Sequence, residues 1–490
     1  MDRPRSARKL ILPTFVVTET AASDEVGAVK VSIPPGENRP GTTYHTCAKK
    51  VAVDGERRDG KPRWVEHQFN LFPVVLDGDG VPWAEACVYI LARLENHLKP
   101  VMSTYASIAE DLAAYRRFID ETGINWMSFP RNKLDRPTYR YNSSLKTLVA
   151  AGELAAATAK RRMSTVIAFY SWLQQEKALQ PEHAPWLETD RFIHLKDGVG
   201  RAYTKQVKTT NLAIKAHKQT DPYAGLIQDG GSLRPLPREE QEWVLNALAA
   251  LGNTEMTLIH LMALLTGARI QTALTFRVRH ALLDIEGVTA RELRFPVGPG
   301  TGIDTKHDKP LVLHLPTWYY EMLQTYALSQ RAQKRRERSA GGDHEDQYLF
   351  LSVRGEPLYR SKADAQAFDA TNTLRHAKVG QGVRQFITDY AIPWVQANCK
   401  GAETFHYRFH DLRASFGMNL TDDQLALVTQ GHITLAQARE YVKTRMGHES
   451  AATTDLYLDY RHNLKMVREV NDDYADHLKS LVERALQGSV

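Results

Sequence analysis

Residues 181–238 interrupt the hydrophobic pattern of this chain, and the interruption constrains the fold more than any other feature. The segment carries the turn and breaker signals DPYAG, DGG and RPLPR. From Lys196 to Arg238 it has eight lysines or arginines against three acidic residues. On either side, apolar residues recur at three- and four-residue spacing, which is typical of amphipathic helices. We therefore predict two lobes joined by a basic linker at 181–238, with a merely disordered connector as the alternative.

The lobe before the linker, residues 84–180, is predicted to be a helical bundle. AEACVYILARLENHL, STYASIAEDLAAYRRFIDETG and AATAKRRMSTVIAFYSWLQQEKAL each repeat apolar residues with helical periodicity. Paired basic residues occur inside two of these helices, namely Arg116, Arg117, Lys160, Arg161 and Arg162. A solvated helix face is the ordinary explanation, but two basic helices in one bundle favour a DNA-binding surface that faces phosphates.

The region before this bundle, residues 1–83, has β-strand character. FVVTET, AVKVSIP and FNLFPVVLD are separated by turn signals at PPGENRPG and DGDG. We predict a small β-containing N-terminal region, whose role the sequence does not indicate.

The lobe after the linker, residues 239–490, mixes helices and strands. REEQEWVLNALAALG and TEMTLIHLMALLTG are predicted helices, whereas RELRFPVG and KPLVLHLP are predicted strands that flank a tight loop. QYLFLS is predicted to be a further short strand. The whole chain is therefore predicted to be a multidomain, mainly α protein with a small β-sheet.

The bulk composition permits a polyanionic partner without requiring one, since the net charge is +6 and the pI is about 8.9. No apolar run approaches the ~18–20 residues of a membrane span. Pro13 interrupts the short apolar stretch that a signal peptide would need. Cys47, Cys87 and Cys399 are far apart and form no CxxC motif, so we expect three ordinary thiols in a reducing cytoplasm.

Two motifs place cationic side chains where they suit an anion. Arg269 in TGARI follows an apolar helix, and Gly267 can end that helix so that the arginine projects from a turn. In HDLR, His410 and Arg413 stand three residues apart and share one helix face. A guanidinium can donate two parallel hydrogen bonds to a phosphate. Alone, an arginine such as Arg269 at a helix end is more often structural.

Two further motifs supply a lysine and a tyrosine. Lys306 in GIDTKHDKPLVLHLP lies in or beside the turn between two predicted strands, with Lys309 nearby, and a solvated lysine is the ordinary alternative. GHES is followed by AATTDLYLDY, in which Tyr457 stands nine residues after His448. A helix that begins after GHES would carry Tyr457 on its exposed face, and Tyr460 is a nearby alternative.

In this order, the four motifs resemble those of the tyrosine recombinases, the family of phage integrases and chromosome-dimer resolvases. TGARI is similar to the family's box I, HDLR to the H-x-x-R of box II, and MGHES with the following tyrosine to its G-H-x-S and nucleophile. KHDKPLVLHL resembles the hairpin segment in which the first lysine is catalytic and the second is not. Residues 239–490 resemble the mixed α/β catalytic domain, and residues 84–180 more loosely resemble the helical core-binding domain. The catalytic residues that the resemblance implies are Arg269, Lys306, His410, Arg413, His448 and Tyr457.

The sequence departs from the family pattern in three places. Thr272 stands three residues after the box I arginine, where the family usually has an acidic residue. The interval between the two motif histidines is longer than usual, and the insert contains His432, which Tyr441 follows nine residues later. We favour Tyr457 over Tyr441 because only VKTRMGHESAATTDLY matches the family pattern throughout. His406 lies four residues before the box II histidine, but no carboxylate motif accompanies it, so no metal site is expected.

The resemblance implies cleavage of DNA without metal, ATP or any other cofactor. Arg269 and Arg413 would neutralise the non-bridging phosphate oxygens, and Lys306 would protonate the leaving 5′-oxygen. Tyr457 would attack, with His410 helping to accept its proton. The product would be a 3′-phosphotyrosyl bond, which conserves the energy of the phosphodiester and allows religation.

The implied partners are double-stranded DNA with specific recombination sites, three further copies of the chain in a tetramer, and an accessory directionality protein. The implied role is integration or excision of a mobile element in the cytoplasm, in association with the nucleoid. The terminal stretch DDYADHLKSLVERALQGSV is predicted to be an amphipathic helix that docks on a neighbouring protomer, with packing on its own domain as the alternative.

Two other functions fit part of the pattern. A type IB topoisomerase uses similar residues to relax supercoils as a monomer, although the helical bundle at 84–180 favours recombination. A DNA-binding protein of this fold without catalytic activity is the second alternative, and Thr272 together with the lengthened insert leaves room for it.

Overall fold

The computed structural model describes ten stretches of the chain, which are residues 6–19, 30–33, 42–45, 65–95, 97, 100–196, 202–215, 225–285, 289–364 and 376–461. Contacts divide the chain into two compact units. Among the described residues, the first unit contains those up to 215 and also 376–377, and the second contains 225–285, 289–364 and 378–461. The predicted helix at the C-terminus lies outside the described residues.

The first unit combines small antiparallel sheets with a helical bundle. Its strands are β1 (Arg8–Glu19), β2 (Lys30–Ile33), β3 (Thr42–His45), β4 (Val65–Leu76), β5 (Glu188–Lys196) and β6 (Ala202–Thr210). The sheets pair β1 with β4, β2 with β3, and β5 with β6. Its α-helices are α1 (Ala84–Glu95), α2 (Met102–Thr122), α3 (Pro137–Ala150) and α4 (Ala156–Gln175). The prediction of strands in the N-terminal region is confirmed.

Aromatic side chains form the core of this bundle. Trp83 packs edge to face on Phe169, with ring centroids 5.3 Å apart. Tyr115 donates a hydrogen bond to Tyr170 over 2.6 Å, and Tyr170 donates to the Trp126 carbonyl over 2.6 Å. Both buried hydroxyls therefore have partners, as buried polar groups require. The contacts join the start of α1 to α2 and α4.

The second unit is mainly helical. Its strands are β7 (Ile227–Gln228), β8 (Ser232–Leu233), β9 (Glu292–Val297) and β10 (Leu311–Pro316). Its α-helices are α5 (Arg238–Leu251), α6 (Thr254–Thr266), α7 (Ile270–Leu274), α8 (Val278–Ala281), α9 (Thr317–Leu328), α10 (Gln330–Glu337), α11 (Gln381–Phe386), α12 (Ile392–Asn398), α13 (Phe409–Thr429) and α14 (Leu435–Met446). Residues 451–461 are also helical. β7 pairs with β8 and β9 with β10, both antiparallel.

Helix α6 is apolar on nearly all of its faces. Such a helix is buried by its neighbours, and α6 accordingly lies in the core of this unit. It packs against α13, which carries the HDLR motif. Its buried His260 donates from Nδ1 to the Met256 carbonyl (2.6 Å) and accepts at Nε2 from the Tyr407 hydroxyl (3.1 Å). Burial lowers the pKa of His260 to about 4, so this histidine is neutral and serves the core.

The secondary structure differs from the sequence predictions at two places. The segment predicted to be a linker contains the β5–β6 hairpin, with nine residues in each strand, and the β7–β8 hairpin. QYLFLS forms only isolated bridges, from Tyr348 to Arg277 and from Leu351 to Pro357. It was wrong to predict a strand there, because the segment does not pair continuously with a neighbour. None of the described helices has the length and apolar character needed to cross a membrane.

Candidate active site

Helix α6 positions Arg269 by ending at Thr266, three residues before it. Gly267 caps α6 with a φ of 67°, a conformation that glycine adopts without strain. A Cβ on Gly267 would lie 2.7 Å from Phe416 Cδ1, so packing also requires glycine here. Arg269 then caps α7, with a side chain that is 18% exposed. Burial and the charge of Arg413 lower its pKa to about 10, which leaves it protonated at neutral pH.

Arg413, in the second turn of α13, ties three segments together. Its Nη1 donates to the Gly267 carbonyl and its Nη2 to the Met446 carbonyl, each over 2.7 Å. Its Nε donates to Asp229 Oδ2 over 2.9 Å. The side chain is buried, so the loss of these bonds would leave two carbonyls without this donor and would remove one of the donors to the carboxylate.

His448 follows the end of α14, where Gly447 adopts a φ of 62°. The buried ring donates from Nε2 to Asp229 Oδ2 over 3.3 Å, and its Nδ1 lies 3.0 Å from Thr454 Oγ1. Burial lowers the pKa of His448, so the imidazole is neutral near pH 7 and Nδ1 accepts from the Thr454 hydroxyl. His448 is therefore a fixed hydrogen-bond donor into the site.

Tyr457 lies on the helix at 451–461 and is fully buried. The prediction of an exposed face was wrong, because this helix turns the ring inward against α13. Gly417 on α13 makes room for it, since a Cβ there would lie 2.5 Å from Tyr457 Cε1. The ring stacks on His448 with centroids 5.6 Å apart, and the hydroxyl donates to Asp229 Oδ2 over 3.2 Å.

The two alternative tyrosines lie elsewhere in the second unit. Tyr441, on α14, is 43% exposed, and its ring lies 5.7 Å from the guanidinium carbon of Arg445. Tyr460 is half-buried and packs against the apolar cluster that includes Tyr457 and Phe416. Of these three tyrosines, Tyr457 alone donates a hydrogen bond to the carboxylate that both arginines contact, within the described part of the chain.

Lys306 lies in the loop between β9 and β10, in a short turn at Lys306–Asp308. It lines one cavity with Arg269, Thr272 and Arg413. Lys309 instead donates to the Gly447 carbonyl over 3.0 Å. The two lysines thus have different surroundings, with Lys306 at the cavity and Lys309 holding the turn before His448.

His410 lies in the first turn of α13 and is partly buried. Burial lowers its pKa, and the charges of Arg269 and Arg413 lower it further. The ring is therefore neutral near pH 7, so one of its two nitrogens is unprotonated and can accept a proton. His406, considered above as a metal partner, is exposed and lies 3.3 Å from the Thr404 carbonyl. Over the described ranges, no three His, Cys, Asp or Glu side chains cluster as a metal site would require.

Asp229 is the site residue that the sequence did not single out. It lies in the turn between β7 and β8, and its carboxylate is 6% exposed. Burial opposes its ionisation, but the hydrogen bond from His448 and the charges of Arg413 and Arg269 hold its pKa well below the ordinary range. The only sequence signal was DGG, which indicates a turn and says nothing of a contact across 184 residues.

The basic residues predicted for the DNA-binding surface are confined to the first unit. Arg116 pairs with Asp120 at 2.9 Å, and Arg161 pairs with the buried Asp111 at 3.1 Å. Arg117 donates to the Ala7 carbonyl over 2.8 Å. Lys160 is exposed, and Arg162 is half-buried. The contacts described for Arg116, Arg117 and Arg161 are all made within the first unit. DNA binding by the five basic residues therefore stays a prediction.

Neither a protein-family model nor a curated protein matches this chain. Solved integrase structures are similar to it. A lambda integrase dimer bound to a COC′ core site is 15% identical, covers 77% of this chain and 95% of its own, and has a TM-score of 0.39. The Tn1549 transposon integrase in complex with circular intermediate DNA is 12% identical, covers 76% and 94%, and has a TM-score of 0.43. This likeness is too distant to support a function, which is argued below from the site.

Proposed function

We propose that the chain is a site-specific tyrosine recombinase that cleaves and rejoins DNA through a 3′-phosphotyrosyl intermediate. One observation carries the proposal. Arg269, Arg413, His448 and the Tyr457 hydroxyl all point at one small, buried, anionic group, the carboxylate of Asp229. A cluster that binds a carboxylate in this way has the charge and the donors to bind a phosphodiester.

The two arginines supply the electrostatic part of the proposed reaction. A phosphodiester gains negative charge in the transition state, and fixed cations in a water-poor site stabilise that charge most strongly. Arg413 is held by two backbone carbonyls, so it is preorganised before substrate binds. His448 adds a neutral donor to the same phosphate oxygen.

The proton transfers fall to the remaining residues. Burial and the Asp229 charge raise the pKa of the Tyr457 hydroxyl, so attack requires a base that takes its proton. Neutral His410 fits that role. Lys306, which lines the cavity together with both arginines, is assigned to protonate the leaving 5′-oxygen. Both roles extend the resemblance residue by residue.

The proposal includes the biological setting. The substrate is double-stranded DNA with two recombination sites, and four copies of the chain act together on them during integration or excision of a mobile element. An accessory protein sets direction, and the enzyme works on DNA of the cytoplasmic nucleoid. These steps require neither ATP nor a bound metal, because the phosphotyrosyl bond conserves the energy of the phosphodiester.

Replacement of Tyr457 by phenylalanine is expected to abolish covalent attachment to DNA, because the nucleophilic oxygen is removed while the ring is retained. The substrate is an end-labelled pool of nicked duplexes of randomised sequence, in which cleavage beside the nick releases a short strand and traps the adduct. Adducts that survive SDS are quantified by gel electrophoresis.

Tyr441→Phe is the matched control and should form adduct at the wild-type level. An adduct that persists in Tyr457→Phe and disappears in Tyr441→Phe would move the nucleophile to α14. Absence of any adduct with the wild-type chain, despite DNA binding, would favour a DNA-binding protein without catalytic activity. Relaxation of supercoiled plasmid by dilute monomer would favour a topoisomerase.

A further inference from the structure

The carboxylate of Asp229 occupies the point on which the anion-binding side chains converge. Its Oδ2 lies 2.9 Å from Arg413 Nε, 3.3 Å from His448 Nε2 and 3.2 Å from the Tyr457 hydroxyl. Its Oδ1 lies 3.4 Å from Arg269 Nη2. One carboxylate oxygen thus accepts from three different side chains, as a non-bridging phosphate oxygen would.

Three of these donors, Arg413 Nε, His448 Nε2 and the Tyr457 hydroxyl, have a single hydrogen that cannot serve Asp229 and a phosphate together. The single hydrogen of Arg413 Nε is donated to Asp229 Oδ2, while Nη1 and Nη2 each donate to a backbone carbonyl. Tyr457 has a single hydroxyl hydrogen, and Asp229 accepts it. Two anions at this distance would also repel each other strongly in a buried site. Occupation by one therefore excludes the other.

We propose that Asp229 is an internal stand-in for the scissile phosphate, which closes the site until DNA displaces it. The inference rests on the proposed function and assigns a regulatory step to the same site. In the closed state Tyr457 is held by the carboxylate and is unable to attack. Binding of a phosphodiester releases the hydroxyl and completes the cation cluster around substrate.

The turn that carries Asp229 has few constraints on its backbone conformation. The residue begins a turn between two strands of only two residues each, and the next two residues, Gly230 and Gly231, are exposed. Glycine imposes little restriction on the backbone, so such a turn can change conformation at low cost. After the turn, the Arg234 amide donates to Asp411 Oδ1 over 2.9 Å, which anchors the chain to α13. The hairpin is therefore fixed on its downstream side and adaptable at its tip.

The same turn also covers the proposed general acid. A Cβ on Gly230 would lie 2.8 Å from Lys306 Nζ, so the lysine rests directly against the turn. Movement of the turn would uncover Lys306 together with the arginines. One displacement would then free the nucleophile, the anion site and the acid.

A different role for Asp229 makes the opposite prediction. Thr272 leaves the site without an acid on α7, and Asp229 could be a permanent counter-ion that positions Arg413 and His448. A permanent positioning residue would stay in place when DNA binds, and its loss would impair cleavage. A stand-in, in contrast, would move away when DNA binds, and its replacement would leave the anion site open.

The first test measures binding of inorganic phosphate to the full chain by isothermal titration calorimetry. Asp229→Asn and Asp229→Ser should each bind phosphate at least about tenfold more tightly than wild type, because a closed site lowers apparent affinity by the fraction that is open. Glu449→Gln is the matched control, since this exposed carboxylate lies near Lys309 and removes one negative charge beside the site. It should bind phosphate as the wild type does. An equal gain in Glu449→Gln, or no gain in either Asp229 variant, would overturn the proposal.

The second test uses the nicked duplex pool at subsaturating DNA. Asp229→Asn should form adduct at least as fast as wild type. If this variant instead loses adduct formation and gains no affinity for phosphate, Asp229 is a positioning residue and the stand-in role is wrong. If no variant forms adduct, the wild type included, the proposed function fails while the phosphate measurement still decides the stand-in. If Asp229→Asn is unstable, a phosphate-dependent rise of its Tm that exceeds the rise in wild type supports the stand-in, and an equal rise contradicts it.

Discussion

Arg413→Ala is expected to lower the rate of covalent strand cleavage by about 10²–10³-fold, the usual cost of losing one preorganised donor at a transition state. The guanidinium donates through Nε to the carboxylate of Asp229, where the phosphate is proposed to bind. Its other two nitrogens donate to backbone carbonyls at the ends of α6 and α14. Single-turnover adduct formation measures the rate. Arg413→Lys should remain strongly impaired, because a lysine keeps the charge but cannot make three bonds in fixed directions.

The matched control for this variant is Arg338→Ala. Arg338 is exposed on the surface at the end of α10 and donates to the Val353 carbonyl. Its loss removes the same charge from the same unit and should leave adduct formation unchanged. Arg413→Ala that retains wild-type cleavage while its fold is intact by circular dichroism would contradict the assignment of Arg413 to the transition state.

Glu255→Gln is expected to lower the free energy of unfolding by about 3–5 kcal/mol, the cost of removing one partner from a buried ion pair. The carboxylate is 1% exposed and accepts from Arg331 twice at 2.8 Å and from Tyr326 at 3.0 Å. Arg335 lies 2.9 Å away and is itself buried. Glutamine preserves the shape but leaves this buried guanidinium without its counter-charge.

The effect should depend on pH in a defined direction. Burial opposes ionisation of Glu255, but the hydrogen bond from Arg331 and the charge of Arg335 outweigh it and hold the pKa below its ordinary 4.5. A carboxyl with a lowered folded-state pKa contributes stability above its unfolded-state pKa, and that contribution is lost as the pH falls through the folded value. The gap between wild type and Glu255→Gln should therefore be full at pH 7 and shrink below pH 4.5.

Urea denaturation of the wild type and of Glu255→Gln, at pH 7 and again below pH 4.5, measures this difference in the free energy of unfolding. Glu356→Gln is the matched control, because Glu356 is 49% exposed and lies 3.5 Å from Lys378. Its substitution should change stability by less than about 1 kcal/mol. A gap for Glu255→Gln that stays constant with pH would contradict this account, because it would show that ionisation of the carboxylate does not contribute to stability.

Local sequence signals predicted the parts of the site that are determined locally. Gly267 ends α6 because glycine favours a positive φ, and this places Arg269 at a helix junction as expected. His410 and Arg413 share α13 at three-residue spacing. Lys306 lies between two antiparallel strands that the alternation of apolar residues indicated.

The remaining features depend on contacts between distant segments. The burial of Tyr457 follows from the space that Gly417 leaves, 40 positions earlier, and helical periodicity does not report which face another helix will cover. The β5–β6 hairpin was not predicted, because the basic residues and turn signals in this segment indicated a linker. Asp229 was missed because a DGG turn on the surface of a linker and one buried in a cation cluster have the same sequence.

The most direct measurement is identification of the residue that becomes linked to DNA. The SDS-resistant adduct is digested with nuclease and trypsin, and the peptide that carries the nucleotide remnant is sequenced by mass spectrometry. Trypsin cleaves after Arg445 and Arg461, which releases MGHESAATTDLYLDYR, whereas cleavage after Arg439 and Lys443 releases Tyr441 in the separate peptide EYVK. We predict that the remnant is on Tyr457, with fragment ions that exclude Tyr460. A remnant on EYVK, on Tyr460 or on any residue of the first unit would contradict the catalytic centre described above.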